Sequence, residues 1–381
     1  MSHDRIASLS IEHFNRLPKM GKPSVNTEWT VLCCIVKENT LDDNFEVVSL
    51  GTGSKCIGKS KMSATGDVLN DSHAEVVCRR AFLCYVYEQI NLGTSDVFTL
   101  ELGECSLNSF IKFHFFTTHV PCGDAAIFPK QDATEFGTVV ADEYVHDAKK
   151  PRLDDIYRTG AKSIPGGGQD SHLQGAEYHA LGVVRTKPGR GDPTLSVSCS
   201  DKLAKWYHLG IQGALLSLLL VHPIYLSSFT IANGTPFDEK SLLRALYGRF
   251  GEDAERAVIG RSSINFSFAK DVSKRPCPAS IVWFKCSTGS HEVAIEGLKQ
   301  GVTKKNRHAR SARLQICKIE MFRRFLTAAE FLRLPSCKNF VFYDDAKADA
   351  KDYQRKWAAL KVDKFKSWTS KDGKLQHFVL D

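Results

Sequence analysis

The pattern of apolar and polar residues predicts strands and helices that alternate along the first half of the chain. Residues 6–17 repeat apolar positions at helical spacing, whereas residues 31–36 and 45–50 are apolar, β-branched runs joined by a polar turn. Residues 74–90 return to a helical spacing, and residues 112–118 predict a further strand. Alternation of this kind is typical of an α/β fold.

Three predicted helices begin directly after an extended segment. Asp71 or Ser72 is the expected N-cap of the helix over residues 74–90. Cys122 lies at a second strand-to-helix turn, and Cys199 opens a third helix. Residues 210–220 are apolar enough to predict a buried helix. The remaining chain is predicted to form strands at 224–230, 264–268, 281–285 and 292–296, and helices at 239–250, 311–327, 328–333 and 344–360.

The chain is predicted to form a single domain of 381 residues. Residues 129–194 are rich in Gly, Asp and Pro and have little periodicity, and so long a loop in a compact domain usually covers a site. We interpret this insertion as an active-site rim. The domain has three consecutive parts: an N-terminal helix and hairpin (1–50), a core that contains the insertion (51–230) and a basic C-terminal extension that closes on the core (231–381).

Composition is that of an ordinary globular protein, with 43% hydrophobic and 25% charged residues. The N-terminus has no secretory pattern, and the longest apolar stretch, residues 214–221, is too short to span a bilayer. The twelve cysteines are scattered, which predicts reduced thiols rather than disulfides. We therefore expect an intracellular protein without membrane association, in the nucleus, the cytoplasm or both.

The net charge of +8 is unevenly distributed. Residues 301–381 contain 19 Lys and Arg against 9 Asp and Glu, so the basic excess lies in the last fifth of the chain. This distribution predicts a surface for a polyanion such as RNA. The alternative is a solvated helical face that binds nothing.

A metal site is predicted from the three strand-to-helix junctions. They contain His73-Ala-Glu75, Pro-Cys122-Gly and Ser-Cys199-Ser. One imidazole, two thiolates and a water form the open four-coordinate shell of a catalytic Zn²⁺, whereas a structural site is closed by four protein ligands. Helix N-termini favour thiolates, and the carboxylate of Glu75 is left free to transfer protons.

Taken singly, each of these signals is weak, because His-x-Glu is usually an ordinary polar pair and Pro-Cys-Gly is usually a turn with a buried thiol. Their order, each after a strand, favours a zinc deaminase with a His ligand, a general acid/base Glu and a Pro-Cys. The common signature continues Pro-Cys-x-x-Cys, but the residue three beyond Cys122 is Ala125. Cys199 is therefore the predicted third protein ligand.

Around these residues the sequence resembles the adenosine deaminases acting on RNA. The matching segments are Asn70-Asp-Ser-His-Ala-Glu75, Pro121-Cys-Gly-Asp-Ala125, Arg185-Thr-Lys-Pro-Gly-Arg-Gly-Asp192, Ser198-Cys-Ser-Asp-Lys-Leu-Ala-Lys-Trp206 and Gly210-Ile-Gln-Gly213. Segments near both ends, Leu17-Pro-Lys-Met-Gly-Lys-Pro23 and Asp349-Ala-Lys-Asp-Tyr353, also match. Within this group the chain is most similar to the eukaryotic tRNA-specific adenosine deaminases of the position-37 type, which lack separate duplex-RNA-binding domains.

The resemblance implies a cytidine-deaminase-like, three-layer α/β/α fold with a central mixed sheet, elaborated by an α/β C-terminal extension. It implies hydrolysis of adenosine to inosine in tRNA, at position 37 on the 3′ side of the anticodon, with tRNA-Ala as the expected substrate. A hydroxide on Zn²⁺ would attack C6 of adenine, Glu75 would transfer the protons, and Asn70 and Asp71 would orient the pocket. We expect a monomer that needs no obligate protein partner.

The resemblance also implies a buried inositol hexakisphosphate behind the zinc site. The matching positions are Arg79, Arg80, Lys202, Lys205, Lys318, Tyr343, Lys347, Tyr353, Trp368 and Lys371. Three positions depart from the family pattern: Ala214 replaces a hydroxyl residue, Trp357 stands where a lysine is usual, and Gln376 replaces an acid. The alternative is that these residues form ordinary surface salt bridges.

Two other functions remain open at this point. A zinc deaminase acting on cytosine would share the fold and the metal chemistry, although the long insertion and the surroundings of Cys199 argue against it. A catalytically silent RNA-binding adaptor would share the fold alone, and the intact His73, Glu75, Cys122 and Cys199 argue against that.

Overall fold

The structure is a computed structural model. It describes residues 2–101, 103–128, 159–171, 173, 175–189, 191–251, 256–334, 337, 339–370 and 372–381. Its helices are α1 (His3–Arg16), α2 (Ala74–Asn91), α3 (Cys199–Leu209), α4 (Gly213–Leu216), α5 (Glu239–Tyr247), α6 (Lys318–Phe331), α7 (Tyr343–Asp349) and α8 (Lys351–Asp363).

The strands divide into one large sheet and several short pairs. Those outside the large sheet are β1 (Glu28–Trp29), β4 (Ser54–Cys56), β5 (Asp71–His73), β6 (Phe98–Glu101), β7 (Glu104–Leu107), β9 (Lys162–Ser163), β10 (Arg185–Thr186) and β13 (Arg275–Pro276). Those of the large sheet are β2 (Leu32–Asn39), β3 (Asn44–Thr52), β8 (Ile111–Thr117), β11 (Ser228–Asn233), β12 (Val258–Asn265), β14 (Ser280–Phe284), β15 (His291–Ile295) and β16 (Leu298–Lys299).

The large sheet is mixed, with the order β12-β11-β8-β2-β3-β14-β15-β16. β8, β11 and β12 run parallel to one another, and the remaining neighbours pair antiparallel. β2 and β3 form the predicted hairpin. The fold is therefore α/β with a central mixed sheet, as the alternation of elements predicts, and the sheet takes strands from all three parts of the chain.

Helices cover both faces of this sheet, and the residues of β2 show how. Cys33 and Ile35 belong to the core that packs against α2, whereas Leu32, Cys34 and Val36 belong to the core that packs against α1. Successive side chains of a strand point to opposite faces, so a strand covered on both faces reads as a continuous apolar run. All five side chains are fully buried.

The helix predicted over residues 74–90 is confirmed as α2, but its predicted cap is wrong. Asp71 and Ser72 lie in β5, which pairs with β4, and His73 is the N-cap without a side-chain hydrogen bond. The Asp71 carboxylate instead accepts hydrogen bonds from Lys187 and Lys202. Tertiary contacts therefore replace the local cap.

Other predicted elements differ in extent. Residues 210–220 form only the short α4, and its late start follows from Gly210 and Gly213, whose φ of 80° and 75° lie in the left-handed region outside helical geometry. Cys122 is followed by a single 3₁₀ turn, Asp124–Ala126, instead of an α-helix. The two helices predicted over residues 311–333 are one helix, α6, and the helix predicted over residues 344–360 is divided into α7 and α8 at Ala350.

None of the twelve cysteines forms a disulfide, as the scattered spacing predicts. Most of them are buried, so they serve as small apolar core residues. Within the described parts of the chain, none of the helices combines the length and the apolar composition needed to cross a bilayer.

Replacing Phe82 by alanine tests how strongly α2 is held on the sheet. Phe82 is fully buried, and its ring meets that of Phe113 edge to face at 4.8 Å. We expect the free energy of unfolding, measured by urea denaturation, to fall by about 3–5 kcal/mol. Val362→Ala, at a side chain that is 76% exposed, is the control and should change it by less than about 0.5 kcal/mol. Similar losses in the two variants would contradict this packing.

Candidate metal centre

Three side chains from separate elements meet at one point. His73 is the N-cap of α2, Cys122 follows β8, and Cys199 is the first residue of α3. Their ligand atoms all lie within 4.8 Å of one another, and the Nδ1 of His73 is 3.7 Å from the Sγ of Cys199. Tetrahedral Zn²⁺ with ordinary bond lengths places nitrogen and sulfur ligands about 3.6 Å apart. The donor set and its spacing therefore fit zinc.

Local backbone contacts hold the two cysteines together. The Cys199 N–H donates to the Sγ of Cys122 at 3.3 Å, and the Ser200 N–H donates to the Cys122 carbonyl at 3.0 Å. Gly123 has φ of 104°, and a Cβ atom there would clash with the side chain of Ser198. Ser198 caps α3 by accepting from the Asp201 N–H at 3.2 Å. Glycine at position 123 is thus required for the close approach.

The pKa values of the two thiols shift in opposite directions, because a hydrogen bond between them favours ionisation of one and disfavours ionisation of the other. A hydrogen bond from Cys199 holds the pKa of Cys122 well below its usual range. Burial, followed by the interaction with Cys122, raises the pKa of Cys199 well above it. Cys122 therefore ionises first, and a divalent cation supplies the charge that favours ionisation of Cys199 as well.

Two lysines, the buried Lys187 and the partly buried Lys202, share one carboxylate beside the cysteines. The Nζ of Lys187 donates to both carboxylate oxygens of Asp71, at 2.7 and 3.0 Å, and Lys202 donates to the same carboxylate. Burial alone would raise the pKa of Asp71, but these two ammonium groups hold it well below its usual range. Burial would lower the pKa of Lys187, but Asp71 and then the two cysteines raise it well above its usual range. Lys187 is therefore a permanent positive charge next to the thiols.

The sequence gives little sign of this role for Lys187. It lies just after the two-residue strand β10, where no helical or strand periodicity marks it as buried, although its side chain is only 1% exposed. The available signal was its position within the segment Arg185-Thr-Lys-Pro-Gly-Arg-Gly-Asp192, which carries part of the family resemblance.

Glu75 is buried in the first turn of α2, two residues after His73. Burial, and then interactions that include the negative charge of the Glu75 carboxylate, raise the pKa of the Cys199 and Cys33 thiols. No side chain in the described residues hydrogen-bonds to that carboxylate. The group is thus placed beside the ligand cluster without being engaged by the protein, as a proton-transfer group requires.

Asn70 and Asp71, predicted to orient a substrate, occupy different positions. Asn70 is partly exposed, and its carbonyl accepts from the Ile57 N–H at 3.1 Å. Asp71 is buried and accepts from the His73 N–H at 3.0 Å as well as from the two lysines. Asp71 therefore fixes the backbone of a metal ligand.

The predicted polyphosphate-binding residues begin one turn beyond Glu75. The Nε of Arg79 donates to the Ile211 carbonyl at 2.8 Å, and the Nε of Arg80 donates to the Ile316 carbonyl at 2.6 Å. Burial lowers the pKa of Arg79 to about 10. Both guanidinium groups are partly buried and tie α2 to the later chain, and no carboxylate of the described residues pairs with either.

Lys205 is surrounded by aromatic rings of the C-terminal extension. Its Nζ lies 3.5 Å from the centre of the Trp357 ring, 5.5 Å from that of Trp368 and 5.7 Å from that of Tyr353. Burial, and then the charges of Arg79 and Lys347, hold the pKa of Lys205 well below its usual range. The sequence departure at Trp357 thus adds an aromatic face where the family has a cation.

The remaining predicted positions lie around the same region. The Nζ of Lys318 donates to the Leu375 carbonyl at 2.7 Å, and the Nζ of Lys347 donates to Gln376 at 2.8 Å. Tyr343 stacks on Phe378, with 4.8 Å between the ring centres. Lys371 lies outside the described residues.

Replacing Lys187 by methionine removes the positive charge beside the thiols while keeping an unbranched side chain. We expect Zn²⁺ affinity, measured by competition with a chromophoric chelator, to fall by about 10–100-fold. Lys112→Met, at the opposite end of β8, is the matched control and should leave it unchanged. Lys187→Met also leaves the buried Asp71 carboxylate without one of its two cations, which should lower folding stability. The double variant Asp71→Asn/Lys187→Met should restore that stability without restoring the Zn²⁺ affinity. Unchanged affinity in folded Lys187→Met would refute the role.

Comparison with known proteins identifies the family. The adenosine-deaminase (editase) domain matches residues 49–372. The tRNA-specific adenosine deaminase 1 of Drosophila melanogaster is 36% identical over 98% of this chain and 96% of that protein, and the one of Homo sapiens is 33% identical over 96% and 97%. The double-stranded RNA-specific adenosine deaminase of Mus musculus is 32% identical over 66% of this chain and 21% of its own length. The chain therefore belongs to the adenosine-deaminase (editase) domain family.

Proposed function

We propose that this protein is a zinc-dependent enzyme that hydrolyses adenosine to inosine in tRNA, at position 37 on the 3′ side of the anticodon, with tRNA-Ala as its substrate. The observation that carries the proposal is the free carboxylate of Glu75 beside the cluster of His73, Cys122 and Cys199. Zn²⁺ held by these three residues would lower the pKa of a water molecule to about 7.

Glu75 carries the proton transfers in this proposal. The reaction adds water across the C6–N1 bond of adenine, releases ammonia and leaves a carbonyl at C6. The Glu75 carboxylate takes one proton from the water and delivers it to ring nitrogen N1. It then moves the second proton of that water to the departing amino group, which leaves as ammonia. Asn70 contacts the base, and Asp71 acts through His73 and the two lysines.

Coverage of the relatives supports tRNA rather than long duplex RNA. The tRNA-specific relatives align over nearly their whole length, whereas the duplex-specific enzymes align over a fraction of theirs. A base in an anticodon loop is already partly unstacked, so its movement into a pocket costs less than extrusion from a duplex. Position 37 and tRNA-Ala rest on the resemblance of the motifs around His73, Cys122 and Cys199.

The same resemblance supports finer statements about the fold. We assign the cytidine-deaminase-like three-layer arrangement to α1, the mixed sheet and the layer that contains α2, and the role of C-terminal extension to residues 231–381. The shared sheet supports one domain over residues 1–381. The enzyme acts as a monomer without an obligate protein partner, in the nucleus, the cytoplasm or both.

We also propose that Lys205 and the cations near it, Arg79, Arg80 and Lys347, form a cationic pocket that holds inositol hexakisphosphate. Its support is the set of partly buried cations around Lys205 that lack a carboxylate partner among the described residues, namely Arg79, Arg80 and Lys347. Buried cations of one sign repel one another, and a bound polyanion offsets this repulsion. The polyanion would connect α2 and α3 with the C-terminal extension.

Replacing Glu75 by glutamine removes the proton-transfer group but keeps the size of the side chain. We expect inosine formation in tRNA-Ala to fall by about 10²–10⁴-fold, measured by nucleoside analysis after incubation with enzyme. The zinc content, measured on the same sample, should stay at one per chain. Glu104→Gln, at an exposed carboxylate, is the control and should retain activity.

The choice of substrate separates this function from the two alternatives. Inosine should be found at position 37 by sequencing and should disappear when that adenosine is replaced by guanosine. Conversion of cytidine instead would establish a cytidine-type deaminase. Tight tRNA binding without turnover by zinc-loaded wild type would establish an adaptor, and equal inosine formation by wild type and Glu75→Gln would refute the role of Glu75.

The polyphosphate is tested by native mass spectrometry of the purified protein. We expect a bound mass that corresponds to inositol hexakisphosphate, and its loss together with a lower melting temperature in Lys205→Met. Lys112→Met removes the same charge at an exposed site and should keep the bound mass. An active, folded preparation that carries no polyphosphate would refute the proposal.

A further inference from the structure

Two segments of the chain carry several cations and no carboxylate. Residues 53–66 contain three lysines, and residues 301–313 contain five Lys and Arg, while neither contains Asp or Glu. Their outward-facing members define what we call the basic surface: Lys59, Lys61, Lys304, Lys305, Arg307 and Arg310. Neither the metal centre nor the cationic pocket uses any of these side chains.

Packing beneath the basic surface holds the two segments together. Ile57 and Val68 from the first side and Leu298 and Ala312 from the second form a small buried cluster. The Leu69 N–H donates to the Gly297 carbonyl at 2.9 Å. The cations are therefore presented by two joined segments rather than by independent loops.

The basic surface begins next to the metal centre. Ser54 in β4 pairs with His73 in β5, and the Ile57 N–H donates to the Asn70 carbonyl. Lys59 follows Ser54 by five residues, so the chain can carry it at most about 17 Å away. A nucleic acid with one base at the metal centre thus brings neighbouring phosphates within reach of this surface.

Most of the charge on this surface is uncompensated. In the described part of the chain, Lys61 pairs with Glu296 at 2.9 Å and Arg310 approaches Glu320 at 3.9 Å, whereas Lys59, Lys304, Lys305 and Arg307 form no ion pair. Lys304 and Lys305 are exposed within one 3₁₀ turn, Lys304–Asn306. Adjacent exposed cations without partners attract a polyanion and release its counterions on binding.

We propose that the basic surface binds backbone phosphates of the tRNA anticodon arm while the target base lies at the metal centre. This proposal rests on the proposed function, because it takes tRNA as the substrate. Contacts to backbone phosphates would strengthen binding and position the RNA, but they would not distinguish one nucleotide sequence from another. An acidic protein segment is the competing occupant, and the spacing of the surface from the metal centre favours the RNA.

The test compares two double variants that each remove two positive charges. Lys304→Ala/Lys305→Ala alters the basic surface, and Lys112→Ala/Lys285→Ala alters exposed lysines at the end of the sheet away from Cys122. We expect the first variant to raise KM for tRNA-Ala by about tenfold with kcat unchanged. The plot of log association constant against log salt concentration, measured with full-length protein, should become shallower by about 1.5 for two lost phosphate contacts.

Each further outcome decides the question. Equal changes in the two double variants would overturn the proposal, because net charge would then explain them, and wild-type affinity in Lys304→Ala/Lys305→Ala would also overturn it. If polyglutamate displaces tRNA as effectively as polyuridylate of equal charge, the surface is not fitted to phosphate and the proposal fails. Binding is measured in proteins that carry Glu75→Gln, whereas KM and kcat are measured with Glu75 intact. Absence of inosine formation by the wild type would contradict the proposed function while leaving the binding test intact.

Discussion

The contact of Asp71 with Lys187 and Lys202 is the constraint on which the metal centre depends. One buried and one partly buried ammonium group share one carboxylate next to two thiols. With both thiols ionised, four formal negative charges (Asp71, Glu75, Cys122 and Cys199) face two positive ones. The remainder is two negative charges, which one divalent cation cancels. Charge balance therefore links the lysines to the metal, although they do not bind it, and unbalanced buried charge would be strongly destabilising.

Helices α2 and α3 each connect this centre to the C-terminal extension. On α2, Arg79 lies one turn after Glu75, and the neighbouring Arg80 donates to the Ile316 carbonyl of the extension. On α3, Lys202 contacts Asp71 and Lys205 lies against the Trp357 ring. Because residues three or four apart share a helix face, each helix places a side chain of the candidate metal centre and a cation of the pocket on the same face. Packing of the extension on these helices thus supports the geometry of the centre.

Sequence patterns predicted the parts of the structure that local chemistry determines. The hairpin, α2, the start of α3 and the meeting of His73, Cys122 and Cys199 follow from periodicity and motif order. The cap predicted for Asp71 or Ser72 is absent, because the Asp71 carboxylate pairs with Lys187, which lies 116 residues away and cannot be identified from local sequence. The helix over residues 210–220 was overestimated, since the apolar pattern does not reveal which glycine adopts a left-handed conformation.

The described end of the insertion predicted over residues 129–194 contacts the candidate metal centre, whereas residues 129–158, part of the predicted rim, lie outside the described residues. The described end pairs with the residues before α3: the Lys187 N–H donates to the Ser196 carbonyl at 2.9 Å, and the Ser198 N–H donates to the Arg185 carbonyl at 2.7 Å. Arg185 is fully buried, and its N–H donates to Asp201 in the first turn of α3 at 3.0 Å. The backbone that places Cys199 therefore also places Lys187. A change in the short strand Arg185–Thr186 would therefore move the Cys199 thiol and the Lys187 ammonium group together. The end of the insertion is thus part of the candidate metal centre.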